Sequence, residues 1–153
     1  SMVAYDAAGR EVFRSISLWV LMDLDTRNMI LPGKSGIALT GTLRGNELTV
    51  PTGLPAKLLK NTRSRQVCFT DLDRNGHMNN CRYLDWICDL IPSTYHTAHE
   101  IREFTVCYLS EAREGQQLEL RWEFPEEGCL YMDAHRQDGS ETTRVFSARL
   151  LVE

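Results

Sequence analysis

Asp71-Leu72-Asp73-Arg74-Asn75-Gly76-His77-Met78-Asn79-Asn80 packs carboxylates, amides and an imidazole between two runs of different period. Before it stands Gln66-Val67-Cys68-Phe69-Thr70, rich in strand-forming residues, so a strand is expected to end at Thr70. Behind it Met78, Cys81, Leu84, Ile87, Cys88 and Ile91 recur at helical spacing. That spacing predicts a buried helix over about residues 79–90, with Asn79 or Asn80 as N-cap and Pro92 as its stop. Tyr83 and Trp86 flank the apolar stripe and read as core. Downstream the period becomes two. Residues 103–109 form one expected strand, and Leu118, Leu120, Trp122 and Phe124 mark a second, with Glu119, Arg121 and Glu123 on its other face. Residues 129–137 and 142–152 follow across Pro125-Glu126-Glu127-Gly128 and Asp138-Gly139 turns. A strand, one long helix and an antiparallel meander predict an α+β fold with the sheet wrapped on the helix.

Upstream, Asp6-Ala7-Ala8-Gly9 is turn-like, and residues 11–23 alternate so that Val12, Ile16, Leu18, Val20 and Met22 share a face. A long strand is expected there, with little to pair with, as at the end of a sheet whose other strands are missing. An edge of that kind recruits another chain, so a homo-oligomer is expected. Residues 33–60 are rich in Gly and Pro and read as a linker. Within it, Ala56-Lys57-Leu58-Leu59 is expected to make a helical turn, and Ile37-Ala38-Leu39-Thr40 and Leu48-Thr49-Val50 short strands. Ser1-Met2 looks like a tag remnant, which places the start inside a longer natural chain.

The 153 residues, 42% hydrophobic, suffice for an ordinary core. A formal charge of -4 supplies no basic field for phosphate backbones, which argues against nucleic acid as a partner. Cys68, Cys81, Cys88, Cys107 and Cys129 are odd in number and unpaired in spacing, which suits reduced thiols in a cytoplasmic protein, most of them as small core side chains. No apolar run reaches the ~20 residues of a membrane span.

The central stretch also opens like a calcium loop, D-x-[DN]-x-[DN]-G. Its twelfth residue, where the ion needs a bidentate carboxylate, is Arg82, and the residues before it are strand-like where a helix is required. Calcium is therefore rejected, and no other metal site is assigned. His96 and His99 have no acid or thiol beside them in sequence, Cys129 and His135 share a strand without a suggestive acid, and there is no phosphate or dinucleotide loop.

These residues resemble a known family. Residues 71–86 are similar to the D-x-D-x-N-x-H-V-N-N-x-K-Y-x-x-W motif of the acyl-acyl-carrier-protein thioesterases of plants and bacteria, which have a double hotdog fold. Trp19-Val20-Leu21-Met22-Asp23, with Thr26-Arg27, is similar to the family's W-V-x-M-D-x-x-T-R-R. The resemblance implies three parts: residues 1–32 as the last strands of a first hotdog, 33–60 as linker, and 61–153 as a second, catalytic hotdog. It implies hydrolysis of fatty acyl-acyl carrier protein to free fatty acid, without a cofactor, in the bacterial cytosol rather than the plastid. A hotdog acyl-CoA thioesterase and a non-catalytic acyl-binding or dimerisation module are the alternatives. Asn28 replaces the family's second arginine, and Ala112 stands where plant members often carry Cys, which excludes a thiol nucleophile there. Arg63, Arg65, Arg74 and Arg82 would supply a basic patch for an acidic carrier.

Thioester hydrolysis needs an activated water, a group that holds it, and donors for the oxyanion. The family makes His77 catalytic, as base or donor, and an imidazole suits either role near neutral pH. Asp73 and Asn75 precede it by four and two residues, so a turn can converge them, the carboxylate on water and the amide on substrate, or else hold them as an Asx-turn. The resemblance adds Glu111, as general base or as the group that polarises the water. Backbone N–H groups at the start of the predicted helix are natural oxyanion donors.

Overall fold

Alternation in a sequence becomes a strand only where a neighbouring backbone supplies a ladder, and the amino-terminal part of the chain shows this. The computed structural model describes residues 1–26, 28–38 and 49–153, in two units, Ser1–Thr52 and Gly53–Glu153. In the first, β1 (Met2–Tyr5) pairs antiparallel with β2 (Glu11–Ser15), and β3 (Leu21–Met22) with β4 (Met29–Ile30). The strand expected over residues 11–23 is therefore broken at 16–20: β1 ends its ladder at Met2↔Ser15, and no described backbone pairs with the next five residues. The Asp6 turn is real, with Oδ1 accepting from Ala8 and Arg10 N–H at 2.9 Å each. Of the two short strands expected in the linker, Leu39, Thr40 and Leu48 lie outside the described residues, and Ile37, Ala38, Thr49 and Val50 are not in strands.

The second unit opens with residues 53–60 in neither helix nor strand, in place of the helical turn expected at Ala56-Lys57-Leu58-Leu59. Arg144 donates to the Leu54 carbonyl at 3.0 Å, Lys57 Nζ sits 3.4 Å from the centre of the Tyr131 ring, and Leu59 is buried. These tertiary contacts outweigh four residues of weak helical preference.

The unit's strands are β5 (Asn61–Gln66), β6 (Ile101–Tyr108), β7 (Gln117–Glu126), β8 (Cys129–Asp138) and β9 (Glu141–Val152), in one antiparallel sheet of order β5-β7-β8-β9-β6. The meander is as the period of two predicts. On one face Leu118, Leu120, Leu130, Met132, Ala134, Phe146, Ala148 and Leu150 are buried, and they close on helix α1 (Asn80–Cys88). Asn79 caps that helix through its side-chain oxygen, which accepts Cys81 N–H at 2.9 Å. Its buried residues are Tyr83, Trp86 and Ile87, with Cys81 exposed, so the core face is turned by about one residue, ~100°, from the predicted stripe. The aromatics decide the rotation because they have the most area to bury: Tyr83 meets Phe146 edge-on at 4.6 Å, and Trp86 is fully enclosed. Each such side chain contributes about 1.5–3 kcal/mol by leaving water.

Pro92 does more than stop a helix. It is the N-cap of a second one, α2 (Ser93–Ala98), which the sequence reading missed. The strand before the central turn ends at Gln66 rather than Thr70, because Asp71 Oδ2 accepts Cys68 N–H at 2.9 Å and winds Phe69–Asp71 into a 3-10 turn. All five cysteines are free, yet only Cys129 is buried and Cys68 and Cys81 are exposed, which corrects their reading as core. Among the described residues no helix is long and apolar enough to cross a membrane.

Candidate active site

The central turn is a closed knot of backbone. Asp73 N–H donates to the His77 carbonyl at 2.8 Å and Gly76 N–H to the Asp73 carbonyl at 3.1 Å. Gly76 sits at φ +74°, where a side chain is strained, which is why glycine occupies the bend. Asp73 Oδ1 accepts from Asn75 N–H at 2.8 Å and from His77 N–H at 3.3 Å, an Asx-type turn. Burial acts to raise the Asp73 pKa, but these donors outweigh it and hold the carboxyl below its usual 3.8. The folded value lies under the unfolded one, so the turn's share of stability is present above about pH 4 and lost as pH falls through the folded value. Asp73 is thus an ionised acceptor at neutral pH and a weak base. Asn75 is exposed, with its amide 3.5 Å from Asp73 Oδ2.

His77 is where two parts of the chain meet. Its Nε2 lies 3.2 Å from Glu111 Oε2, with the imidazole largely covered and the carboxylate partly open to solvent. The next residue along each segment repeats the contact in backbone: Met78 N–H donates to the Ala112 carbonyl at 2.8 Å. Arg113 Nη2 is 3.9 Å from the same Glu111 oxygen. The structure therefore brings His77 and Glu111 side by side, and joins Asp73 and Asn75 to them through the turn that presents His77.

The helix start offers fewer donors than expected. Met78, Asn79, Cys81 and Arg82 N–H already serve Ala112 O, Asp71 O, Asn79 Oδ1 and Asn79 O, which leaves Asn80 N–H without a recorded acceptor among the described residues. Asp71, the other acid of the turn, is buried and structural. Its Oδ1 accepts the Trp86 indole N–H at 3.3 Å.

The basic patch is reduced. Arg65 is paired with Asp89 at 2.6 Å and lies over the Trp86 ring, and Arg82 is paired with Asp85 at 2.7 Å. Among the described residues Arg63 and Arg74 make no ion pair. His96 Nε2 and His99 Nδ1 are each engaged at 3.0 Å by a backbone carbonyl, of Cys88 and Tyr95. His135 does have an acid, buried Asp133 at 3.0 Å, with Arg144 Nε 3.5 Å from its other oxygen; the two residues are two apart and so share a strand face.

The fold is a hotdog, an antiparallel sheet closed on one helix, with an imidazole and a carboxylate meeting at the helix entrance. A model of the acyl-ACP thioesterase C-terminal domain matches residues 57–148, and the chain belongs to that family. It is 26% identical over 123 residues to the oleoyl-acyl carrier protein thioesterase 2, chloroplastic, of Arabidopsis thaliana, covering 71% of this chain and 33% of the relative. With the palmitoyl-acyl carrier protein thioesterase, chloroplastic, of Gossypium hirsutum it shares 28% over 121 residues, 72% of this chain and 29% of that one. The structure of the 12:0-ACP thioesterase from Umbellularia californica superposes with a TM-score of 0.65 at 21% identity, over 86% of this chain and 52% of that one, a likeness of fold. The chain spans about a third or less of the length of those curated relatives.

Sequence reasoning missed Arg136 and the Ala112 carbonyl. Arg136 donates through Nη1 to the Glu111 carbonyl at 2.5 Å. Its signal was available: Leu130, Met132, Ala134 and Arg136 alternate along one strand, and a cation ending an apolar row has to answer something.

Proposed function

We propose that this chain is the catalytic portion of a thioesterase that hydrolyses fatty acyl-acyl carrier protein to free fatty acid. The observation that supports it is the 3.2 Å approach of His77 Nε2 to Glu111 Oε2 at the entrance of α1. In this reading the His77–Glu111 pair takes a proton from water, whose oxygen bonds to the thioester carbonyl carbon. The oxyanion is met by Asn80 N–H at the positive end of the helix. Collapse breaks the carbon–sulfur bond, the carrier thiolate takes the proton back from the pair, and a fatty acid leaves. Asp73 holds the imidazole in place through the His77 backbone, and Asn75 positions substrate at the rim. Arg63 and Arg74 are the cations proposed to face an acidic carrier.

The same proposal takes residues 1–32 as the end of a first hotdog, 33–60 as the linker and 61–153 as the catalytic hotdog. It takes a homo-oligomer as the assembly, supported by Trp19 and Leu24, which are 79% and 81% exposed. The cytosol is its compartment, supported by five free thiols, although its plant relatives carry chloroplastic names.

The test is hydrolysis of long-chain acyl-acyl carrier protein by the wild-type chain and by His77→Ala, with acyl-CoA run in parallel. A positioned base contributes ~10²–10⁴-fold, so His77→Ala is expected to lose at least about 10²-fold in turnover with little change in KM. Equal rates in the two proteins would remove the assignment. Faster turnover of acyl-CoA than of the carrier-bound substrate would replace the carrier by CoA, and blank rates with both would leave an acyl-binding module.

A further inference from the structure

We infer that Arg136 is a positioning residue that sets the approach of Glu111 to His77, a proposal that rests on the thioesterase reading above. Arg136 stands on the inward row of β8, opposite Leu118 of β7 and two residues beyond Ala134, both of them fully buried. An apolar side chain would continue the core there. The guanidinium instead leaves the core at its edge and spans three groups. Its Nε donates to Asp138 Oδ1 at 2.7 Å, and its Nη1 donates to the Glu111 carbonyl at 2.5 Å and to Gln116 Oε1 at 3.4 Å. Gln116 Oε1 in turn accepts Arg113 N–H at 2.8 Å, so the cation grips both ends of residues 111–116. Asp138 is held below its ordinary carboxyl value by that guanidinium, as an anchor in a standing pair would be.

The loop so held carries the carboxylate of the site. Leu109 and Ser110 N–H fasten its start to the Val145 carbonyl at 2.8 and 3.0 Å, and Met78 N–H takes the Ala112 carbonyl at 2.8 Å. Glu111 lies between these fixed points, and Arg136 holds its own carbonyl. Without the cation Glu111 loses the donor at its carbonyl, while Arg113 stays 3.9 Å from its carboxylate. The neighbouring Met78–Ala112 bond then opens more often, and the carboxylate shifts from Nε2 of His77 without unfolding the loop. A planar donor set matters here, because one guanidinium serves a carboxylate and a carbonyl at once and an ammonium does so with poorer geometry.

A misplacement of about 1 Å at a reacting group costs on the order of 10²-fold, so Arg136→Met is expected to lower kcat about 10- to 100-fold on acyl-acyl carrier protein, with KM within about twofold. Arg136→Lys restores part of the loss. In a Glu111→Gln background Arg136→Met costs less than about threefold more, since the group it positions is gone. Losses that multiply in the double variant, or wild-type kcat in Arg136→Met, overturn the proposal. Losses in His77→Ala and Glu111→Gln with none in Arg136→Met sink the brace alone. Wild-type rates in those two variants sink the thioesterase reading instead. A readout without turnover covers a slow chain: amide exchange at Met78, whose acceptor is Ala112 O, is expected to speed at least about tenfold in Arg136→Met while Leu120 in the core keeps its protection. Unchanged exchange at Met78 overturns the proposal as well.

Discussion

Asp71→Ala separates the two acids of the central turn, one that holds the fold and one proposed to serve the site. Asp71 accepts two donors through its side chain, the Trp86 indole N–H at 3.3 Å and Cys68 N–H at 2.9 Å. Trp86 is fully enclosed, so water cannot replace the lost oxygen, and an unsatisfied buried donor costs about 1–3 kcal/mol. Cys68 is exposed, so its amide finds water and the loss there is nearer 0.5–1 kcal/mol. The sum is about 1.5–4 kcal/mol. With a urea slope of about 1.5 kcal/mol/M, the unfolding midpoint followed by circular dichroism should fall by roughly 1–3 M at constant slope. The cause is checked by repeating the change in Trp86→Phe, where the donor is absent and the cost should shrink by about 1–3 kcal/mol. Asp73→Ala should do the reverse, losing at least about 10²-fold in turnover with a smaller change in stability, because its hydrogen bonds lie in a solvent-facing turn. A cost below about 0.5 kcal/mol for Asp71→Ala, or the same cost with and without the indole, would refute the argument.

Burial pushes the Tyr83 phenol up from 10.0 to about 12. A value raised in the folded state gives stability that is whole below pH 10 and lost as pH climbs towards 12, by up to about 3 kcal/mol. Tyr83→Phe should flatten that alkaline loss in urea titrations at several pH values; an unchanged slope would count against burial as its cause. Gly128 lies at φ +73°, and a Cβ there would come 2.6 Å from the Val152 carbonyl oxygen. Gly128→Ala should therefore destabilise by about 2–4 kcal/mol in thermal melts, and a change within about 0.5 kcal/mol would show that the β8 entry can shift.

Period and punctuation alone determined most of the second unit's elements, though not α2, because strand and helix alternate apolar residues at different spacings and Gly, Pro and Asx residues mark the ends. They placed α1 and the β7-β8-β9 meander, while it was the family resemblance that singled out Asp73, Asn75 and His77 as candidates. They failed where a distant partner decides the local outcome. The break after Ser15 depends on where β1 runs out, the non-helical course of residues 53–60 on Arg144 and Tyr131, and the rotation of α1 on the area Tyr83 and Trp86 bury. The site divides in the same way. A turn of seven residues can be read from its own sequence, since its hydrogen bonds are local. That His77 meets Glu111, thirty-four positions later, and that Arg136 reaches the same loop from β8, follow from strand register and sheet order. Those are properties of paired backbones, and no single segment carries them.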